Sequence, residues 1–373
     1  MISKGIYKGR LKKVFTEMER KDVKVLLVYN KNNQLYITGS DIGVCTLIIK
    51  DEIPIQIVYI LEESRAKQQL KLGEVFTISP YPLKGLKKEI FIGELHKAVK
   101  HVLEENGIEE GRIGIEASHI SHEMYIKTSS SLKNYSLVNT SDIIPKLRKI
   151  KDSTELEFIK KAIKASEDAL RKGIENCTEG VSECEVAAEI ERMIKSRGFG
   201  IAFETIVASG VRSALPHGFS STKRLKKGEL VVLDLGARYE YYCSDITRTI
   251  AVGGLTNEQR QLIEHVIEAQ RAAIEKVSPG VKASEVDLEA RNVLEKYSLS
   301  KYFIHSLGHG VGLAVHESPS ISPNSKEELK VGMVFTIEPG VYIEGVGGVR
   351  IEDMIVVTEK GAKLLTSFER LID

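Results

Sequence analysis

Two acidic residues, Asp234 and Asp245, sit in an otherwise apolar, β-branched run at residues 231–250, VVLDLGARYEYYCSDITRTI. The run reads as two short strands joined by a tight turn. With the turn centred near Tyr239 and Glu240, the two carboxylates face each other across an antiparallel pair, which is unfavourable unless a cation lies between them. Taken alone, two solvated acids on an edge hairpin account for the pattern equally well. Further along, Glu338 (in VFTIEPG) and Glu352 (in GGVRIED) form a second acidic pair in a second strand–turn–strand pattern, and His309 stands among small residues in HSLGHGVG. Four carboxylates need a counter-charge, which two divalent cations would supply, with His309 as the fifth candidate ligand. Oxygen-rich ligation with one imidazole suits hard or borderline ions such as Mn²⁺, Co²⁺ or Zn²⁺. Two such ions about 3.5–4 Å apart activate a water near neutral pH. That is hydrolytic chemistry.

The elements that must position these residues show a weak internal repeat. Cys177-Thr178-Glu179-Gly180-Val181, then Glu185-Val186, reappears as Val277-Ser278-Pro279-Gly280-Val281, then Glu285-Val286. In each copy one helix ends, a glycine turn follows and a second helix begins. Ser182 and Glu185 stand at capping-box spacing, Val186, Ile190 and Met193 form the apolar stripe, and Gly198 supplies the stop. Each helix pair is followed by one of the acid-bearing hairpins. The pattern predicts two similar halves facing each other, because only at their seam can side chains from both converge. Gly340, Gly345, Gly347 and Gly348 allow the chain between Glu338 and Glu352 to turn sharply and approach a ligand closely.

The amino-terminal third reads differently. Apolar runs at 25–29, 45–49, 55–60 and 75–79 are expected strands, and amphipathic stretches at 65–72, 88–105 and 118–129 are expected helices. Such alternation indicates an α/β domain with a mainly buried sheet. It contains no glycine-rich phosphate cradle, and His96, His101, His119 and His122 have no matching set of ligands. The basic, irregular stretch PKLRKIK at 145–151 marks a boundary, dividing the chain into 1–147 and 148–373. Just beyond it, Asp152 with Glu155, or Thr154 with Glu157, can cap a helix striped by Leu156, Ile159, Ile163 and Leu170. The fold class is therefore α/β followed by α+β.

The 373 residues carry 53 basic and 52 acidic side chains, a net charge of +1, without the one-sided basic excess of a nucleic-acid binder. No apolar run approaches a membrane span, and MISKGIYKGRLKKVF at 1–15 lacks a signal-peptide core. The four cysteines form no CxxC pair. A cytoplasmic protein is expected.

The order Asp, Asp, His, Glu, Glu, set in LDLGARYEYYCSDITRT, HSLGHGVGLAVHE, TIEPGVY and GVRIED, resembles the pita-bread metallopeptidases. Within them it is similar to the proline-specific branch of Xaa-Pro dipeptidases (prolidases) and Xaa-Pro aminopeptidases. NQLYITG at 33–39 is similar to the Asn-x-x-Tyr-Leu-Thr-Gly signature of that branch's creatinase-like amino-terminal domain. The resemblance implies a creatinase-like domain followed by a pseudo-twofold, duplicated pita-bread catalytic domain. It implies that Asp234, Asp245, His309, Glu338 and Glu352 hold two divalent ions, with Asp245 and Glu352 bridging and Glu338 also taking the proton of the attacking water. It assigns His217 (ALPHG) to the substrate pocket, His316 (VHE) to the scissile carbonyl, and Arg350 to the surroundings of the metals. The implied substrate is a small peptide with proline at the second position, and the implied assembly is a homodimer in which a partner's amino-terminal domain limits the cleft.

One departure bears on substrate length. Some prolidases carry an arginine four residues after the histidine corresponding to His316, where it meets the substrate's free carboxylate; this chain has Ser320. Dipeptides and longer peptides both stay open. A methionine aminopeptidase shares the five ligands but normally lacks so large an amino-terminal domain, and activity on Met-Ala peptides with none on Xaa-Pro would favour it. Creatinase and non-catalytic, peptide-binding pita-bread modules lack some or all of the ligands that are complete here. His305 either lines the pocket or is structural, and Tyr241 and Tyr242 either flank the site or are ordinary strand tyrosines.

Overall fold

The computed structural model describes residues 2–83 and 90–372. The chain divides into two compact units, Met1–Arg148 and Lys149–Asp373. No described helix is long and apolar enough to cross a membrane.

The first unit is built on seven strands: β1 (Val25–Val28), β2 (Cys45–Ile49), β3 (Ile55–Tyr59), β4 (Glu74–Ser79), β5 (Phe91–Ile92), β6 (Gly111–Ile115) and β7 (Tyr135–Asn139), in the order β5-β4-β3-β2-β1-β6-β7. β2 runs antiparallel to both neighbours and the remaining pairings are parallel. β1 and β2 are buried at every position, so VLLV and CTLII carry apolar residues on both faces instead of alternating. The helices are α1 (Lys4–Arg20), α2 (Lys31–Thr38), α3 (Glu63–Gln69), α4 (Leu95–Glu105), α5 (His122–Ser131) and α6 (Ile143–Arg148).

The helix expected from residue 88 starts only at Leu95. Lys88 and Glu89 lie outside the described residues, and Phe91–Ile92 joins the sheet edge beside β4. The helix expected from 118 starts at His122, because the Ser121 side chain accepts the Met124 N–H as an N-cap. The NQLYITG stretch forms α2. Its Asn33 is fully buried, donating to Glu116 Oε1 at 2.5 Å and accepting from Arg148 Nη1 at 2.7 Å.

The second unit contains the duplication. Its first half comprises α7 (Ser153–Asn176), α8 (Glu183–Ser196), β8 (Gly200–Ile201), β9 (Ile206–Ser209), β10 (Leu230–Leu235), β11 (Ala237–Tyr239), β12 (Tyr242–Cys243) and β13 (Ile246–Ala251). The second comprises α9 (Asn257–Lys276), α10 (Ala283–Lys296), β14 (Gly308–Gly310), β15 (Glu317–Ile321), β16 (Val334–Ile337), β17 (Gly340–Ile343), β18 (Gly347–Arg350), β19 (Asp353–Thr358) and β20 (Gly361–Leu364). The strands form sheets β13-β10-β9, β12-β11-β8, β15-β14-β16-β19-β20 and β17-β18.

The same helix–turn–helix occurs twice at atomic detail. Gly180 and Gly280 have φ of 88° and 86°. Gly180 N–H donates to Leu225 O and Gly280 N–H to Leu329 O, while Leu225 and Leu329 return N–H bonds to Val181 O and Val281 O. Capping boxes at Asp152–Glu155, Ser182–Glu185 and Thr256–Gln259 start α7, α8 and α9. Each half has its own core. Val186, Ile190 and Ile194 of α8 belong to the cluster that includes Val231, Leu233 and Leu235; Val286, Ala290 and Leu294 of α10 belong to the one that includes Phe335 and Ile337.

Candidate metal centre and active site

The first hairpin turns one residue later than its sequence suggests. Glu240 and Tyr241 have φ of 46° and 71°, and Tyr239 pairs with Tyr242. Two consecutive residues with positive φ make a tight turn whose twist matches that of antiparallel strands. Asp234 therefore pairs with Thr247 and not with Asp245. Continuing the register sets Asp245 opposite Gly236, diagonal to Asp234 on the same face. A Cβ at Gly236 would lie 2.2 Å from Ser244 O, so this crossing requires glycine. The second hairpin has the directly opposed placement instead: Ile337 pairs with Asp353 and Gly340 with Arg350, which sets Glu338 across from Glu352.

The two hairpins meet. Glu352 N–H donates to Thr247 O at 3.1 Å and Thr247 Oγ1 donates to Glu352 Oε2 at 2.7 Å. His309, on β14, brings Nε2 to 3.2 Å from Glu338 Oε1 and 3.6 Å from Asp245 Oδ2. Ligand atoms of Asp245, His309 and Glu352 all lie within 4.8 Å of one another. Asp234 joins through Arg350, whose Nη2 donates to Asp234 Oδ2 at 2.5 Å.

The donor set fits divalent cations. Asp234 Oδ1 and Glu352 Oε1 are buried without a hydrogen-bond partner, and an orphaned carboxylate oxygen is costly unless a cation or donor meets it. Burial, then Glu352, Asp234 and Glu338, push the Asp245 carboxyl well above its usual range. Burial, then Glu338 and Asp234, do the same to Glu352. Burial also raises Asp234, against the opposing pull of Arg350. Glu338 departs in the other direction: burial opposes its ionisation, but the hydrogen bond and charge of His309 bring it down to about 2. His309 is correspondingly raised to about 9, with burial opposing and Glu338 prevailing. Buried acids that repel one another in this way are stabilised as anions by a bound cation.

Three supporting groups, Thr336, Thr247 and Tyr342, were not singled out from sequence. Thr336 Oγ1 donates to Glu338 Oε1 at 3.0 Å and accepts His309 N–H at 3.1 Å. Arg350 donates to Tyr342 Oη at 2.8 Å, Thr247 Oγ1 at 3.2 Å and Pro216 O at 3.2 Å. His305 Nε2 lies 3.0 Å from Tyr342 Oη, which ties this histidine into the arginine's surroundings. A period of two was the available signal, since Thr336 and Thr247 each stand two residues from an acid on an extended segment. Tyr242 is core: its hydroxyl donates to Glu155 Oε1 at 3.0 Å and its ring is buried.

Of the two remaining histidines, His316 stands edge-on to His309 with ring centroids 4.2 Å apart. Burial, then the charge of His309, lowers its pKa, favouring the neutral ring. His217 is exposed on the loop after β9, one residue beyond the Pro216 carbonyl that Arg350 holds.

Residues 157–359 match the family model described as Metallopeptidase family M24, and residues 10–150 match the Creatinase/Prolidase N-terminal domain. The Xaa-Pro dipeptidase of Pyrococcus furiosus is 42% identical over 367 residues, spanning 97% of this chain and 99% of that protein. Among solved structures, the prolidase from Pyrococcus furiosus matches with a TM-score of 0.83 at 40% identity, covering 95% of this chain and 100% of that one. The X-Pro aminopeptidase from Thermotoga maritima matches with a TM-score of 0.86 at 32% identity, covering 97% and 98%. With its duplicated catalytic unit and its preceding α/β unit, the chain belongs to metallopeptidase family M24, in the pita-bread branch that carries a creatinase/prolidase amino-terminal domain.

Proposed function

We propose that this protein is a metal-dependent exopeptidase that hydrolyses the Xaa-Pro bond at the amino terminus of dipeptides or short peptides. The observation that carries the reading is the convergence of Asp234, Asp245, His309, Glu338 and Glu352 from both halves, with two buried carboxylate oxygens left over for a cation. In this reading the five residues would hold two divalent ions, Mn²⁺, Co²⁺ or Zn²⁺. When bound, such ions supply Lewis acidity and lower the pKa of a water toward neutrality.

The chain's own groups do the rest. Glu338, oriented by the hydrogen bond from the Thr336 hydroxyl, accepts the proton of the attacking water and returns it to the proline nitrogen as the C–N bond breaks. His316 donates to the oxygen of the scissile carbonyl, where negative charge develops. Arg350 orients Asp234 through a charge-assisted hydrogen bond and holds the His217 loop by the Pro216 carbonyl. His217 lines the substrate pocket. A bond to proline lacks an N–H, so its recognition rests on the carbonyl and on a pocket for the ring.

Two substrate lengths follow from different observations. The similarity to Xaa-Pro dipeptidases favours dipeptides. Ser320, exposed and paired with His309 across β14 and β15, offers no cation to a dipeptide's free carboxylate and favours longer peptides. Comparing Ala-Pro with Ala-Pro-Ala on metal-reconstituted enzyme separates them, and hydrolysis of Met-Ala with neither proline peptide cleaved would refute the proline-specific reading. We place the domain boundary at 1–147 and 148–373, supported by the division into compact units after Arg148. A homodimer and a cytoplasmic location complete the proposal, the latter supported by four free cysteines, which suit a reducing compartment.

A further inference from the structure

We propose that Glu183 is a positioning residue for the substrate pocket, acting through the loop that carries His217. Glu183 opens α8, far from the acids of the metal centre in sequence, and its side chain is wholly buried. Burying an ionised carboxylate is expensive unless its lone pairs are filled, and here each oxygen is spoken for. Oε1 accepts the N–H and Oγ of Ser209, both at 2.8 Å. Oε2 accepts the N–H of Ser221 at 3.1 Å, its Oγ at 2.6 Å and Nε of Arg212 at 3.1 Å. Ser209 and Ser221 are the two ends of the loop at 210–220, so one carboxylate pins both. Arg212 extends the clamp across the loop, its Nη2 donating to Phe219 O at 2.7 Å.

The far side of the loop is tied to the active site. Gly348 N–H donates to Ser213 Oγ at 2.8 Å, and Arg350 donates to Pro216 O while also holding Asp234. The loop is thus suspended between a buried carboxylate at its base and the arginine beside the metal centre. Between these ties Leu215, His217 and Phe219 are exposed at its crest. The exposed apolar side chains at the crest gain little from packing, so the placement of that stretch depends on the polar ties at its ends and on the close seating of Ser213 against Gly348. Glu183 therefore sets where His217 stands and how well the pocket is formed before a peptide arrives. The inference rests on the assignment of His217 to the substrate pocket.

A double-mutant cycle on the metal-loaded, full-length enzyme tests it. Glu183→Gln turns an NH₂ donor toward one of two sets of donors, whereas Glu183→Asp keeps two acceptor oxygens. Glu183→Gln is expected to raise KM for an Xaa-Pro peptide about tenfold while kcat and metal content change by less than about twofold, with Glu183→Asp recovering part of the loss. His217→Ala should raise KM as well, and adding Glu183→Gln to it should cost little more, because both act through one group. A full, additive loss in the His217→Ala background, or a fall in kcat and metal content instead of a rise in KM, would overturn the positioning role. If Glu183→Gln does not fold, Arg212→Gln, on a partly exposed side chain, takes its place in the cycle, and an unchanged KM there overturns the proposal equally. If His217→Ala alone leaves the kinetics untouched, the assignment of His217 is what fails, and Glu183 loses the group it was to position.

Discussion

At the scale of single residues, Glu352 joins the two halves most directly. Its backbone N–H and one carboxylate oxygen are bound by Thr247 of the other half, and its second oxygen is buried without a partner. Glu352→Gln or Asp245→Asn should cost the bound metal and lower turnover by more than the 10–100-fold typical of groups that merely support ligands, measurable as metal content after dialysis and as kcat. His316→Ala should behave differently. Removing one donor to a developing oxyanion costs about 10²–10³ in kcat, and metal content should stay at the wild-type level; loss of metal would move His316 into the ligand set. The four candidate acids stood out because carboxylates are uncommon in apolar strands, and His309 because small residues surround it. Their mutual placement was less so. A shift of one residue at Glu240–Tyr241 converts Asp234 and Asp245 from direct to diagonal neighbours, and nothing in an apolar, β-branched run fixes which two residues take positive φ. Glu183 left no signal at all, since an acid at the first turn of a helix is ordinary.

At the scale of elements, the continuous apolar runs of β1 and β2 and the capping boxes of α7 and α8 were legible, whereas the Thr256–Gln259 box that starts α9 was not singled out. β6 and β7 escaped because GRIGI begins with exposed polar positions and YSLVN lacks a fully buried residue. Thr336 shows how a strand aligns its neighbours: one hydroxyl fixes the backbone of His309 and the carboxylate of Glu338. Thr336→Val should keep the fold and weaken metal binding about 10–100-fold, read by titration calorimetry. At the start of α9, Thr256→Ala should lower stability by about 1 kcal/mol in urea melts without touching activity. Thiol accessibility checks the packing of both units, because Cys45, Cys177 and Cys243 are buried and Cys184 is exposed. Burial also raises the Cys177 thiol to about 12, which keeps it protonated and unreactive. Native protein should react with one equivalent of a thiol reagent per chain, and unfolded protein with four.

At the scale of the whole molecule, metal and stability are coupled. A cation that binds the assembled cluster but not the unfolded chain stabilises by about 2.7 kcal/mol at a hundred times its Kd. Chelation should therefore lower Tm together with activity, and Glu352→Gln should abolish the chelator's effect on Tm. Duplication was visible in sequence as a short recurrence around Gly180 and Gly280 and as an acid-bearing hairpin after each helix pair, and no further, because the two halves preserve backbone bonds and not side-chain identity.

Arg248, wholly buried in the first half, donates to the carbonyls of Glu352, Phe368 and Glu369 and to the carboxylate of Asp353 in the second. That stitching makes the enzyme a natural candidate for division. A chain cut at Gly253–Gly254 would leave Asp234 and Asp245 on one fragment and His309, Glu338 and Glu352 on the other. Neither fragment could be active by itself, and recovered proteolysis on mixing would report their reunion as a self-contained complementation assay.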